Sequence, residues 1–238
     1  MNSSKVKHVW FMRHGQTIFN PENCTYDEFI EALSNGYHTP LHENHGIDFA
    51  SLPQNVELIC HSPALRAKDT AKKLQEHLKV GSVERLDLLR EVRFDKNLIS
   101  RSEYKFLKRT RPPILKRWFS NENRAESFKD SMARVKEIEK FIQNRQEKTI
   151  IIVTHGWFLR LLELYFVKGK REKDITLSDL LNIKPIGLAD FVEAPIKFRN
   201  GVASKTHLAD AISQKKSISN LTPQLNEFSN IPTIANSQ

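Results

Sequence analysis

Four short stretches of the chain are apolar in the manner of strands: 6–13 (VKHVWFMR), 56–60 (VELIC), 84–89 (ERLDLL) and 149–154 (TIIIVT). The last is β-branched on both faces, the pattern of a parallel strand covered on two sides. Between them the apolar spacing changes to that of helices. After VELICH, Ser62 suits an N-cap and Pro63 a first helical residue; Ala64, Ala67, Ala71, Leu74 and Leu78 then recur on one face, and Gly81 lies beyond the end. A longer helix is predicted from Ser127 to about Asn144, with Phe128, Met132, Val135, Ile138 and Ile142 on one side. A third runs from Trp157 to about Val167, and 186–194 (IGLADFVEA) reads as a further strand at a sheet edge. Strands alternating with helices imply an α/β fold, a three-layer α/β/α sandwich around a mostly parallel sheet.

Three stretches break the alternation. Residues 21–55 form a long, turn-rich insertion. Residues 95–125 form a second, basic one, in which Pro112 and Pro113 are expected to break any helix. From about 201 the chain becomes rich in Ser, Asn and Lys without apolar periodicity, and a disordered or loosely attached tail is expected over 201–238. The expectation is one domain over 1–200, with a core of ordinary size for 238 residues.

Charge sharpens this picture. A net charge of +9 favours anionic partners, without choosing among nucleic acid, membrane surface and phosphorylated molecules. Two cysteines, Cys24 and Cys60, make no disulfide framework. The first residues, MNSSKVKHVWFM, lack the apolar run of a cleaved signal peptide, and no stretch is long and apolar enough to span a membrane. A cytoplasmic location is therefore expected, with export by a non-classical route left open.

In a parallel α/β sheet, ligands gather outside the carboxyl ends of the strands. Here those ends carry Arg13-His14, His61-Ser62 with Arg66 in the next helical turn, Arg90-Glu91, and His155. Gly15 and Gly156 allow tight turns beside two of them. Arginine forks match phosphate oxygens, a neutral imidazole can attack phosphorus, and a carboxyl can protonate a departing alkoxide. Nothing in this set requires a metal or another cofactor, and none is expected.

These residues also carry a resemblance. RHGQTIFN is similar to the RHG-x-T-x-x-N signature of the histidine phosphatase superfamily, the phosphoglycerate mutase-like family, at Arg13, His14, Gly15, Thr17 and Asn20. SPALRAKDTA resembles its SP-x-x-RA-x-x-TA block, LREVRFD the block bearing the acid, AESFKDSMARV the opening of the long helix, and VTHG the second-histidine block. The five blocks occur in family order across roughly 6–195. The resemblance implies a phosphoglycerate mutase-like fold and a histidine acid phosphatase-type phosphoric monoester hydrolase. It implies His14 as the phosphorylated nucleophile, Glu91 as proton donor, and Arg13, Asn20, Arg66 and His155 as the phosphate pocket. The alternatives are a phosphoglycerate-type mutase and a catalytically silent phospho-ligand-binding domain. The implied substrate is a phosphorylated small molecule or phosphoprotein.

Other features have plainer readings. His38, His42 and His45 in HTPLHENH fit no strong zinc spacing and read as a solvated loop. His61 either lines the pocket or is structural. The run KRTRPPILKRW reads as a solvated surface or as a basic rim, and it forms no recognised nucleic-acid-binding module.

Overall fold

The computed structural model describes residues 6–19, 24–35, 39–95, 112–184, 186–199 and 202–204. The chain divides into two units, Met1–Thr206 and His207–Gln238, and the second lies wholly outside the described residues. Six strands form one sheet: β1 (Val6–Arg13), β2 (Leu58–His61), β3 (Val83–Arg85), β4 (Thr149–Thr154), β5 (Phe191–Arg199) and β6 (Val202–Ser204), in the order β3-β2-β4-β1-β5-β6. Strands β3, β2, β4 and β1 pair in parallel, whereas β5 pairs antiparallel with both β1 and β6.

Alternation along the central strands separates two apolar layers. Ile150 and Ile152 of β4, with Val9 and Phe11 of β1, pack on one face with α4 (Phe128–Asn144) and α5 (Gly156–Leu162). Ile151 and Val153, with Met12 and Ile59, pack on the other with Ala67, Ala71 and Leu74 of α2 (Leu65–Leu78). The predicted face of α4 is buried throughout: Phe128, Met132, Val135, Ile138 and Ile142 all lie inside. Its start is fixed by a capping box, in which the Ser127 hydroxyl accepts from the Asp130 amide at 3.1 Å and the Asp130 carboxylate accepts from the Ser127 amide at 3.0 Å. The architecture is the expected sandwich.

Several expectations need correction. The stretch 84–89 is a three-residue strand followed by a 3₁₀ turn, Asp87–Leu89, rather than one strand. Pro112 and Pro113 do not break a helix but begin one, α3 (Pro112–Phe119). The first helical positions have no intrahelical use for the N–H that proline lacks. Helix α2 starts at Leu65 with Ala64 as its cap, later than Ser62 and Pro63 suggested. The helix after His155 changes to π-helical turns over Glu163–Val167. Helices α1 (Tyr26–Asn35) and α6 (Leu177–Asn182) were not anticipated, nor was β6, which carries the sheet past residue 200. The tail from 205 and most of the basic insertion, 96–111, lie outside the described residues. Among the described residues no helix is long and apolar enough to cross a membrane.

Candidate active site

Strand register assembles the site. Arg13 lies opposite Thr154 in the β1–β4 pair, and the His14 amide extends the ladder to the Thr154 carbonyl at 3.0 Å. His14 and His155 therefore leave adjacent strand tips side by side, with ring centroids 5.2 Å apart. The neighbouring β2–β4 pair does the same for Ser62, whose amide donates to the Val153 carbonyl at 3.0 Å. Arg66, in the first turn of α2, then reaches across both rings.

The hydrogen bonds define the tautomers. Nδ1 of His14 lies 2.8 Å from the Gly15 carbonyl, so it carries the proton and donates. Nε2 is left with a lone pair, and it accepts from Arg66 Nε at 3.1 Å. His155 is reversed. Its Nδ1 accepts from Arg66 Nη2 at 2.9 Å, and its Nε2–H donates to the Ser62 hydroxyl at 2.7 Å. Both rings are buried. Burial, then the charge of Arg66, then that of Arg13 push the His14 pKa down to about 3, against the opposing Gly15 carbonyl bond. Burial and Arg66 also hold His155 well below the ordinary histidine value. The site thus presents two neutral imidazoles and a charged guanidinium between them.

Two glycines stand at close approaches. A Cβ on Gly156 would lie 3.3 Å from Cζ and Nε of Arg13, whose guanidinium rests against the start of α5 and donates to the Ile186 carbonyl at 3.3 Å. A Cβ on Gly15 would lie 2.8 Å from the His45 carbonyl oxygen. That contact reflects a docked loop. Gln16 donates to the His45 carbonyl at 2.9 Å, His42 donates to the Gln16 carbonyl at 2.8 Å, and Thr17 bridges to Leu41. The 41–45 stretch is therefore a backbone partner of the His14 turn. His42 and His45 each use Nδ1 to accept a nearby amide, from Asn44 and Ile47. His38 and Asn20 lie outside the described residues. Among the described residues no group of three His, Cys, Asp or Glu side chains is placed to hold a metal ion.

Glu91 reaches the site from the segment after β3. Its carboxylate accepts from the amides of Phe158 at 3.0 Å, Trp157 at 3.2 Å and Val92 at 2.9 Å. It thereby caps the N-terminus of α5, two residues beyond His155, by satisfying amides that have no intrahelical partner. His61 stands aside. It is buried, bonded through Nδ1 to the Ser62 carbonyl at 2.7 Å, and makes none of the contacts that join His14, Arg66 and His155.

Sequence reasoning missed two supporting groups. Ser62 was read as a helix cap, but its hydroxyl orients His155 and also accepts from the Ala64 amide at 3.3 Å. The buried Thr70 hydroxyl accepts from the Gly15 amide at 3.0 Å and donates to the Arg66 carbonyl at 2.7 Å, tying the His14 turn to α2. Both occur in the SPALRAKDTA block, which was the only signal for them.

A family model of the histidine phosphatase superfamily (branch 1) matches residues 46–179, more than half of the chain. The chain belongs to that superfamily. The matched span holds Arg66, Glu91 and His155; Arg13 and His14 precede it, and the β1–β4 pairing brings them beside His155. No curated protein matches the sequence. Among solved structures, mycobacterial hydrolase 1 has 17% identity and a TM-score of 0.56, covering 81% of this chain and 92% of its own. Phosphoserine phosphatase from Entamoeba histolytica, in complex with 3-phosphoglyceric acid, has 17% identity and a TM-score of 0.52, covering 85% of this chain and 99% of its own. At such identities the likeness is one of fold, and this superfamily member shares the α/β sandwich with both.

Proposed function

We propose that the chain is a phosphoric monoester hydrolase that works through a phosphohistidine on His14. The observation that carries this reading is the Arg66 bridge. One guanidinium aims Nε at the lone pair of His14 and Nη2 at that of His155, so a phosphate entering between the rings meets a fork of donors beside a neutral nucleophile. In the first step the lone pair on His14 Nε2 forms a bond to phosphorus as the bond from phosphorus to the ester oxygen breaks. Glu91 gives that oxygen a proton, and the alcohol leaves. Positive charge arising on the imidazole is met by the Gly15 carbonyl at Nδ1. In the second step water attacks phosphorus, Glu91 takes back a proton, and the N–P bond returns its electrons to Nε2 as inorganic phosphate departs. Arg13 and Arg66 hold the non-bridging oxygens beside the neutral His155, and these two cations take the part that a divalent metal plays elsewhere.

The reading is tested by free-phosphate release across a panel of phosphorylated metabolites, with and without EDTA. Release should survive chelation and vanish in His14→Ala. Glu91→Gln should slow alkyl phosphates far more than 4-nitrophenyl phosphate, because nitrophenolate departs without a proton. Loss of activity with EDTA that a divalent ion restores would contradict the mechanism. So would conversion of 3-phosphoglycerate to 2-phosphoglycerate faster than phosphate is released.

A further inference from the structure

The segment that bears Glu91 has almost no regular structure between the 3₁₀ turn and residue 95, yet its backbone is gripped by side chains. Arg134, on the buried face of α4, donates through Nη1 to the carbonyls of Leu88 at 2.7 Å and Arg90 at 2.8 Å. Glu126 accepts from the Arg93 amide at 3.2 Å. Asn123 accepts from the Asp95 amide at 2.7 Å and donates to the Arg93 carbonyl, also at 2.7 Å. Five backbone groups flanking Glu91, on both sides of it, are thus held by three side chains that are themselves buried.

The three side chains are joined to one another. Arg134 donates to Glu126 Oε1 through Nε at 3.0 Å and again through Nη2; Ser131 adds a hydroxyl to the same oxygen at 2.6 Å. The Asn123 amide donates to the Glu126 carbonyl at 2.6 Å. Arg134 also lies over the ring of Phe158, 4.0 Å from its centroid, and Phe158 supplies one of the amides that hold the Glu91 carboxylate. The same guanidinium therefore touches the backbone before Glu91 and the residue that receives its side chain. A buried ion pair is a weak source of stability, because desolvation offsets the attraction between its members. What a fully bonded pair does supply is a fixed geometry for the groups around it.

We infer that Asn123, Glu126 and Arg134 are positioning residues that fix the Glu91 carboxyl against the reacting ester oxygen. The inference rests on the reading of Glu91 as proton donor. None of the three hydrogen-bonds to His14, Arg66 or His155 in the contacts described, and although the charge of Arg134 is also felt at His155, their grip on the backbone acts on Glu91. It also gives the block AESFKDSMARV a use beyond opening a helix: Glu126 and Arg134 stand eight residues apart, with the Ser127 cap between them.

The test is a leaving-group split. Asn123→Ala removes two hydrogen bonds to the segment and one to the Glu126 carbonyl, while leaving the buried ion pair in place. It should lower kcat on 2-phenylethyl phosphate by about tenfold or more, part of the full contribution of a general acid, with kcat on 4-nitrophenyl phosphate within about twofold. Arg134→Lys keeps the charge but loses the fork and should give the same split. The milder Asn123→Ser serves if either variant does not fold. In a Glu91→Gln background the same substitutions should cost alkyl phosphates nothing further, since coupled residues are non-additive. Equal losses on both substrates, or a full further loss in the Glu91→Gln background, overturn the positioning role while Glu91 keeps its own. If Glu91→Gln itself shows no leaving-group split, the proton-donor reading falls and the positioning role falls with it.

Discussion

Arg66 Nε donates to His14 Nε2 at 3.1 Å, placing a permanent charge beside the one nitrogen of that ring that has a free electron pair. In the ligand-free site this bond covers the nucleophile; a phosphate would take over the donors and uncover it. Arg66→Lys should therefore fail despite keeping the charge, since a lysine has no fork to span His14 and His155. The loss in kcat/KM should be about 10- to 150-fold, the equivalent of a charge-assisted bond of about 1.5–3 kcal/mol. Steady-state kinetics with any accepted monoester measures it, and a loss below twofold would remove Arg66 from the pocket.

Acid should weaken the fold through the same histidines. The folded pKa of His14 is lowered to about 3, below the ordinary histidine value of 6.5, and His155 is lowered too. In the window between about 3 and 6.5 the unfolded chain binds more protons than the folded one. Stability is then complete above about 6.5 and declines as pH falls toward 3, by up to about 1.4 kcal/mol per pH unit for each such histidine. Urea midpoints between pH 7.5 and 4.5 should fall for the parent chain and fall less steeply for His14→Gln. Identical slopes would mean that His14 is not held neutral.

Gly15 and the His45 carbonyl leave no space for a side chain between them. Gly15→Ala should push the 41–45 loop off the His14 turn and break the pairing through Gln16. The cost should be about 1–3 kcal/mol, as for other insertions into packed sites, or a fall in Tm of roughly 2–4 °C per kcal/mol for a chain of this size. Calorimetry checks the stability, and activity should drop further than the melting temperature alone explains. An unchanged Tm would show that the loop yields freely.

How far the sequence disclosed this arrangement depended on the range of the interactions. Strands β1 and β4 were legible to the residue because their apolar positions are continuous and bounded by polar ends, and the buried face of α4 was legible from its 3.6-residue period. The strand ends therefore pointed to Arg13, His14, Arg66 and His155 before any geometry was known. Other features depend on contacts that leave no periodic trace. Pro112 and Pro113 look like breakers until the helix is seen to begin with them. The 41–45 loop joins the His14 turn through backbone groups that any sequence possesses. The three amides on Glu91 belong to Val92 and to residues more than sixty positions away. Asn123 reads as one more polar residue in a basic insertion until it is found inside the protein.

The account stands most directly on a covalent bond at His14. The protein should be mixed with ³²P-labelled phosphomonoester, quenched in alkali within the first turnover, digested, and the label mapped by mass spectrometry. The account predicts phosphate on Nε2 of His14, stable to base, lost in mild acid, and absent from His14→Ala. Label on a serine, or turnover with no label at His14 and full activity in His14→Ala, would contradict it.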